Sequence, residues 1–135
     1  MAENVIIDAG FVVALLSRRD IHHRWANAQA ERYPPPWKTC EGALSESFHL
    51  IGSRGTTALN ALLRRGALVP AFNLLENLEA VLRFTEKYRD VPASLSDACL
   101  VRMSETFDSP VILTTDTDFR VYRRHGRQVT PCVIP

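Results

Sequence analysis

Lysine is scarce in this chain: of 16 lysines and arginines, only Lys38 and Lys87 are lysines. Arginine presents a planar fork of donors that suits phosphate oxygens, so the bias fits a phosphate-rich partner; arginine-favouring codons in a GC-rich genome give the same bias. Cysteine is sparse too. Cys40, Cys99 and Cys132 are an odd set without C-x-x-C spacing, which excludes a disulfide framework and a zinc knuckle and makes a reducing cytoplasm the expected location. No histidine pair has zinc spacing, because His22 and His23 are adjacent while His49 and His125 are isolated. Long hydrophobic runs are also missing. The apolar stretch from Val5 to Leu16 is broken by Asp8 and has no basic segment before it, which argues against a membrane span and a signal peptide.

What is present is ordinary in bulk. A chain of 135 residues, 46% hydrophobic and 23% charged, can bury one core, and with no linker long enough to divide it residues 1–135 read as one domain. The net charge of +1 says little, because the placement of charges decides partners.

Along the chain, Val5–Ile7 reads as a short buried strand with Asp8 at its end, and Phe11–Leu16 as a helix. A second helix is expected over Ile21–Arg32, stopped by Pro34–Pro36, and a short strand over Trp37–Thr39. Thr39 is the expected N-cap of a helix running to Ile51, where Gly52 and Gly55 end it. Further helices are expected over Thr56–Arg65, Leu74–Tyr88 and Leu95–Thr106, with strand-like segments at Ala67–Phe72 and Val111–Leu113. The tail Gln128–Ile134 can add an edge strand that tolerates Pro131. Short, fully apolar strands separated by helices indicate a parallel sheet covered on both faces, an α/β fold of three α/β/α layers. In such sheets ligands sit beyond the carboxyl ends of the strands.

That rule singles out acidic residues. Asp8 ends the first strand and Asp116 follows Val111–Leu113, so neighbouring parallel strands would bring both carboxylates to one edge, with Asp118 within reach from the loop. Each has a structural alternative: Asp8 as a helix cap, Asp116 and Asp118 as Asx-turn formers. Glu46 lies mid-helix with Ala43 and Leu50 on its face, where a carboxylate is costly unless a cation meets it; Glu41, in the first turn, merely complements the helix dipole. Asp97, in Ser94-Leu95-Ser96-Asp97, has capping-box spacing but also stands at a helix start beside the expected sheet edge. Together, Asp8, Glu46, Asp97 and Asp116 form an oxygen-rich set suited to hard divalent cations such as Mg²⁺ or Mn²⁺.

The segments Val5-Ile6-Ile7-Asp8-Ala9-Gly10-Phe11, Leu44-Ser45-Glu46, Ser94-Leu95-Ser96-Asp97-Ala98 and Leu113-Thr114-Thr115-Asp116-Thr117-Asp118-Phe119 occur in the order of a PIN domain. The resemblance spans nearly the whole chain and is closest to the single-domain VapC-type toxins of toxin–antitoxin pairs. It implies a metal-dependent ribonuclease whose catalytic and metal-binding acids are Asp8, Glu46, Asp97 and Asp116, with Asp118 as an accessory ligand. It also implies Mg²⁺ or Mn²⁺ as cofactor, a VapB-like antitoxin that blocks the pocket, and a homodimer. Two positions depart from the family pattern. Gly10 stands where Ser or Thr is common, which removes a hydroxyl that could orient a carboxylate or water, and Ser96 stands where Ala is common.

Just beyond Asp118, Arg120, Arg123, Arg124 and Arg127 form a basic run with Phe119 and Tyr122 interleaved. Arginines can hold phosphates while rings stack on bases, so the run is an expected RNA path; a solvated turn is the alternative. Two other classes of function compete with the nuclease. One is an Asp-dependent phosphatase reading Asp116-Thr117-Asp118 as D-x-D, which lacks a suitably placed lysine. The other is a PIN-like RNA- or protein-binding module without catalysis, against which the complete acidic set argues.

Overall fold

The structure is a computed structural model describing residues 2–135; Met1 lies outside the described residues. Its centre is set by two short strands, each with three consecutive buried aliphatic residues. Strand β1 (Asn4–Ile7) and strand β4 (Pro110–Leu113) lie side by side and parallel, with Val5 opposite Val111 and Ile7 opposite Leu113. Because strand side chains alternate, Val5, Ile7, Val111 and Leu113 enter the core on one face while Ile6 and Ile112 enter the core on the other. Both faces are therefore buried, which is why these strands read as unbroken apolar runs rather than alternating ones. Strands β2 (Trp37–Thr39) and β3 (Leu68–Pro70) extend the sheet beyond β1 and a last strand, β7 (Cys132–Val133), flanks β4, giving the parallel order β3-β2-β1-β4-β7.

Helices α1 (Ala9–Leu16), α2 (His23–Arg32) and α3 (Glu41–Arg64) supply the layer that meets Val5 and Ile7, through Phe11, Val12, Ala26, Leu59 and Leu62. Helices α4 (Leu78–Lys87) and α5 (Leu95–Thr106) supply the opposite layer, through Val81, Leu100 and Met103 packed with Ile6 and Ile112. The expected three-layer α/β/α arrangement with a parallel central sheet is present.

Several local expectations are corrected. Thr39 does not cap α3. It is the last residue of β2, and its hydroxyl donates to the Ile7 carbonyl at 2.8 Å, so Cys40 takes the cap position without a side-chain bond. The two helices expected over residues 39–51 and 56–65 meet at a single break, Gly52, at φ 69° and ψ −166°, a backbone region that glycine enters without a Cβ penalty. Gly55 lies within helix beyond that break. The helix expected from Leu74 begins as a separate 3₁₀ turn over Leu75–Asn77, where Asn73 Oδ1 accepts from the Glu76 amide at 3.1 Å and draws the first turn off α-geometry. Helix α2 starts at His23 rather than Ile21, which is left exposed.

The tail forms two short strands instead of one. Pro131 divides them: β6 (Gln128–Val129) pairs antiparallel with β5 (Arg123–Arg124), and β7 (Cys132–Val133) joins the sheet edge parallel to β4. Pro131 has no N–H to offer, yet its carbonyl accepts from the Ile112 amide at 2.9 Å, so an edge position suits it. Among the described residues, no helix is long and apolar enough to cross a membrane.

Candidate active site

The parallel pairing of β1 with β4 sends both chains out at the same edge of the sheet, and the acids gather there. Asp8, the residue after β1, is buried, and its carboxylate has two protein partners. Oδ1 accepts from the Phe11 amide at 2.9 Å, capping α1, while Oδ2 accepts a short bond from the Thr114 hydroxyl. Thr114 in turn accepts from the Asp116 amide at 2.9 Å, so one hydroxyl ties the ends of both central strands together. Burial pushes the Asp8 carboxyl up from 3.8 to about 7 against the lowering effect of these two bonds, with the charges of Asp97 and Asp116 raising it further.

Asp97 opens α5 and makes the full capping box. Its amide donates to Ser94 Oγ at 3.0 Å, and its Oδ2 accepts from the Ser94 amide at 3.4 Å. Oδ2 also accepts from the Tyr122 hydroxyl at 2.9 Å, so every protein bond to this carboxylate falls on one oxygen and Oδ1 is left for the cleft. Burial raises the Asp97 carboxyl, and the Asp116 charge adds to the rise. Asp116 caps the short 3₁₀ turn over Thr117–Arg120 by accepting from the Asp118 amide at 2.8 Å through Oδ1. The capping and turn readings of Asp8, Asp97 and Asp116 are thus correct, and each coexists with a place in the site because a carboxylate has two oxygens.

Asp8, Glu46, Asp97 and Asp116 together line one cleft of about 270 Å³, whose wall also includes Gly10, Ser96 and Thr115. The apolar face expected around Glu46 is corrected. Glu46 does not meet a buried apolar surface: it is exposed, its neighbour Leu50 is 55% exposed, and it stands on the cleft wall. Glu41 opens onto a different cavity, beside Cys40, Phe72 and Cys99. Asp118 lies next to the cleft but does not line it. Ser96 is accommodated by Gly42, where an added Cβ would stand 2.5 Å from the Ser96 hydroxyl.

Among the described residues the ion pairs are Arg83–Glu79 and Arg102–Glu105, so no protein cation neutralises the four cleft acids. Nor, among the described residues, do three acidic, histidine or cysteine side chains form a ready-made metal cage. Carboxylates without a cationic partner, two of them raised by burial and mutual repulsion, fit a divalent ion held by one or two direct carboxylate ligands, with water and phosphate completing its shell.

The basic run is rearranged by folding. Phe119 and Tyr122 are fully buried, so neither can stack on a base. Arg123 donates through Nη1 to the carbonyls of Arg120, Val121 and Tyr122, and Arg124 donates through Nη2 to the Ser104 carbonyl at 2.6 Å, with its Nε buried. Arg120 and Arg127 remain exposed. The sequence pattern offers Tyr122 as a stacking ring; its position behind Asp97 depends on a contact 25 residues away in the chain. Thr114 was not among the expected site residues, and no local signal in the sequence marks the part it plays.

The fold and the site define the class: an α/β protein with a parallel sheet covered on both faces and an acidic cleft, without a protein cation, beyond the carboxyl ends of its central strands. The PIN domain model matches residues 5–124, and the chain belongs to the PIN domain family, whose members are typically metal-dependent nucleases. Comparison with curated protein sequences gives no match. The family assignment displaces the phosphatase reading. In addition, Asp118 lies off the cleft, while Lys38 bonds Asn4 and Lys87 bonds the Gly126 carbonyl.

Proposed function

We propose that this protein is an Mg²⁺- or Mn²⁺-dependent endoribonuclease that acts as the toxin of a toxin–antitoxin pair. The observation that carries the nuclease reading is the convergence of Asp8, Glu46, Asp97 and Asp116, from four separate segments, on one cleft without a protein cation. Asp97 through Oδ1, Asp116 through Oδ2 and the exposed Glu46 are the groups free to hold the metal; Asp8, buried and bonded through both oxygens, anchors the floor. A divalent ion there supplies charge neutralisation at the phosphorus and lowers the pKa of bound water. Asp8 and Asp97 are fixed by Thr114 and Tyr122, so the carboxylates meet a substrate already oriented.

RNA as the substrate and the toxin role rest on the resemblance to VapC-type toxins, together with the exposed Arg120 and Arg127 beyond Asp116. A VapB-like antitoxin would act by covering the open cleft. A homodimer is supported by the exposed Leu75, Leu78 and Leu82 near the start of α4, an apolar surface larger than a lone side chain.

The test is RNA cleavage with Mg²⁺ or Mn²⁺, with EDTA, and after restoring Mn²⁺. Glu46→Gln is expected to abolish cleavage and Glu41→Gln to leave it near wild type, because only Glu46 lines the acid cleft. Undiminished cleavage in EDTA would overturn the metal dependence. Equal activity in the two glutamine variants would overturn the assignment of Glu46.

A further inference from the structure

Gly10 is the second residue of α1, two places after Asp8, and both line the acid cleft. A Cβ built on Gly10 would collide with the Thr115 hydroxyl and stand 3.5 Å from Asp8 Oδ1. The space a side chain at position 10 would fill is therefore already occupied, by a hydroxyl delivered from the loop after β4. That hydroxyl has no hydrogen-bond partner among the described residues, although its neighbour Thr114 uses its own hydroxyl twice. Thr115 is half-buried and lines the cleft, so its hydroxyl remains available to whatever enters. A hydroxyl both donates and accepts, which suits it to hold a water in a fixed orientation between carboxylates.

From this we infer that Thr115 supplies the hydroxyl that position 10 lacks and orients the attacking water beside Asp8. The assignment rests on the nuclease reading above. Water is favoured over a substrate phosphate because the hydroxyl lies down against α1 beside the buried Asp8, whereas Glu46 and Ser94 are exposed around the opening. The exchange explains why a glycine is tolerated at position 10. It also makes the function a property of the place rather than of one residue, since either chain segment can bring an oxygen there.

The experiment is a set of variants assayed for RNA cleavage and for Mn²⁺ affinity by water-proton relaxation. Thr115→Val keeps the shape and removes the hydroxyl. Its kcat is expected to fall about tenfold, the size of one hydrogen bond, with KM and Mn²⁺ affinity unchanged. Thr115→Ser should restore kcat, because the oxygen is kept. In the Thr115→Ala background, where the collision is relieved, Gly10→Ser should recover part of the lost kcat; in wild type the same change should not raise it. Unfolding midpoints of all variants establish that the compared proteins are folded. Wild-type kcat in Thr115→Val, or a change in KM alone, overturns this role while leaving the nuclease intact. A double variant no better than Thr115→Ala overturns the exchange of place. A wild-type protein that neither cleaves RNA nor binds Mn²⁺ overturns the nuclease reading and this role with it.

Discussion

Asp8 shows at the scale of one residue how a site is held under tension. Its carboxyl is buried to the point that its ionised form is disfavoured, and the two nearest acids push the same way. A carboxyl raised from 3.8 to about 7 binds its proton more tightly in the folded chain than in the unfolded one. The metal-free protein should accordingly lose stability as pH rises from about 4 to about 7 and lose no more from this group above that. Each tenfold gain in proton affinity on folding corresponds to about 1.4 kcal/mol. Asp8→Asn removes the ionisation while keeping an acceptor for the Phe11 amide. In EDTA the variant should therefore be more stable than wild type at pH 8 and close to it at pH 4, by urea denaturation. A wild-type stability that rises between those pH values would sink this account of Asp8.

At the scale of the element, the hairpin of β5 and β6 is where charge pattern and structural role part company. Four arginines in a short run look interchangeable in sequence, but the fold gives them different work. Arg124 reaches across to the Ser104 carbonyl near the end of α5 through Nη2, and that bond fastens the hairpin to the body of the protein, while its Nε is buried without a partner. Arg124→Ala should cost roughly 1–3 kcal/mol of stability by leaving that carbonyl unpaired. Arg120→Ala and Arg127→Ala, being exposed, should each change stability by less than about 0.5 kcal/mol and instead weaken RNA binding and flatten its salt dependence. Denaturant midpoints and RNA affinity across a salt series separate the two groups. RNA affinity that depends on Arg124 more than on Arg120 and Arg127 would reverse the division.

The acid cleft is a property of the whole molecule, since the residue after β1, helices α3 and α5, and the loop after β4 each contribute one carboxylate. An ion bound among them draws together segments whose charges otherwise repel. Mn²⁺ at 100 times its dissociation constant should stabilise the folded state by about 2.7 kcal/mol, and the gain should be much smaller in Asp97→Asn. Thermal unfolding across a Mn²⁺ titration measures this. A midpoint unmoved by Mn²⁺ would mean that the cleft does not hold an ion.

The sequence by itself determined the parts governed by local rules. The apolar β1 and β4, the capping box of Ser94 and Asp97, and the stop of α2 before its prolines follow from burial, hydrogen-bond spacing and backbone sterics within a few residues. The edge where the acids meet was legible too, because parallel strands have only one carboxyl end and Asp8 and Asp116 each follow a strand. Tertiary structure decided the rest. Thr39 spends its hydroxyl on Ile7, Tyr122 turns inward to Asp97, Arg124 is drawn onto α5, and Thr115 fills the space left by Gly10. None of these placements follows from the few residues around it in the chain. Each depends on a partner brought close only when the sheet and its helices packed.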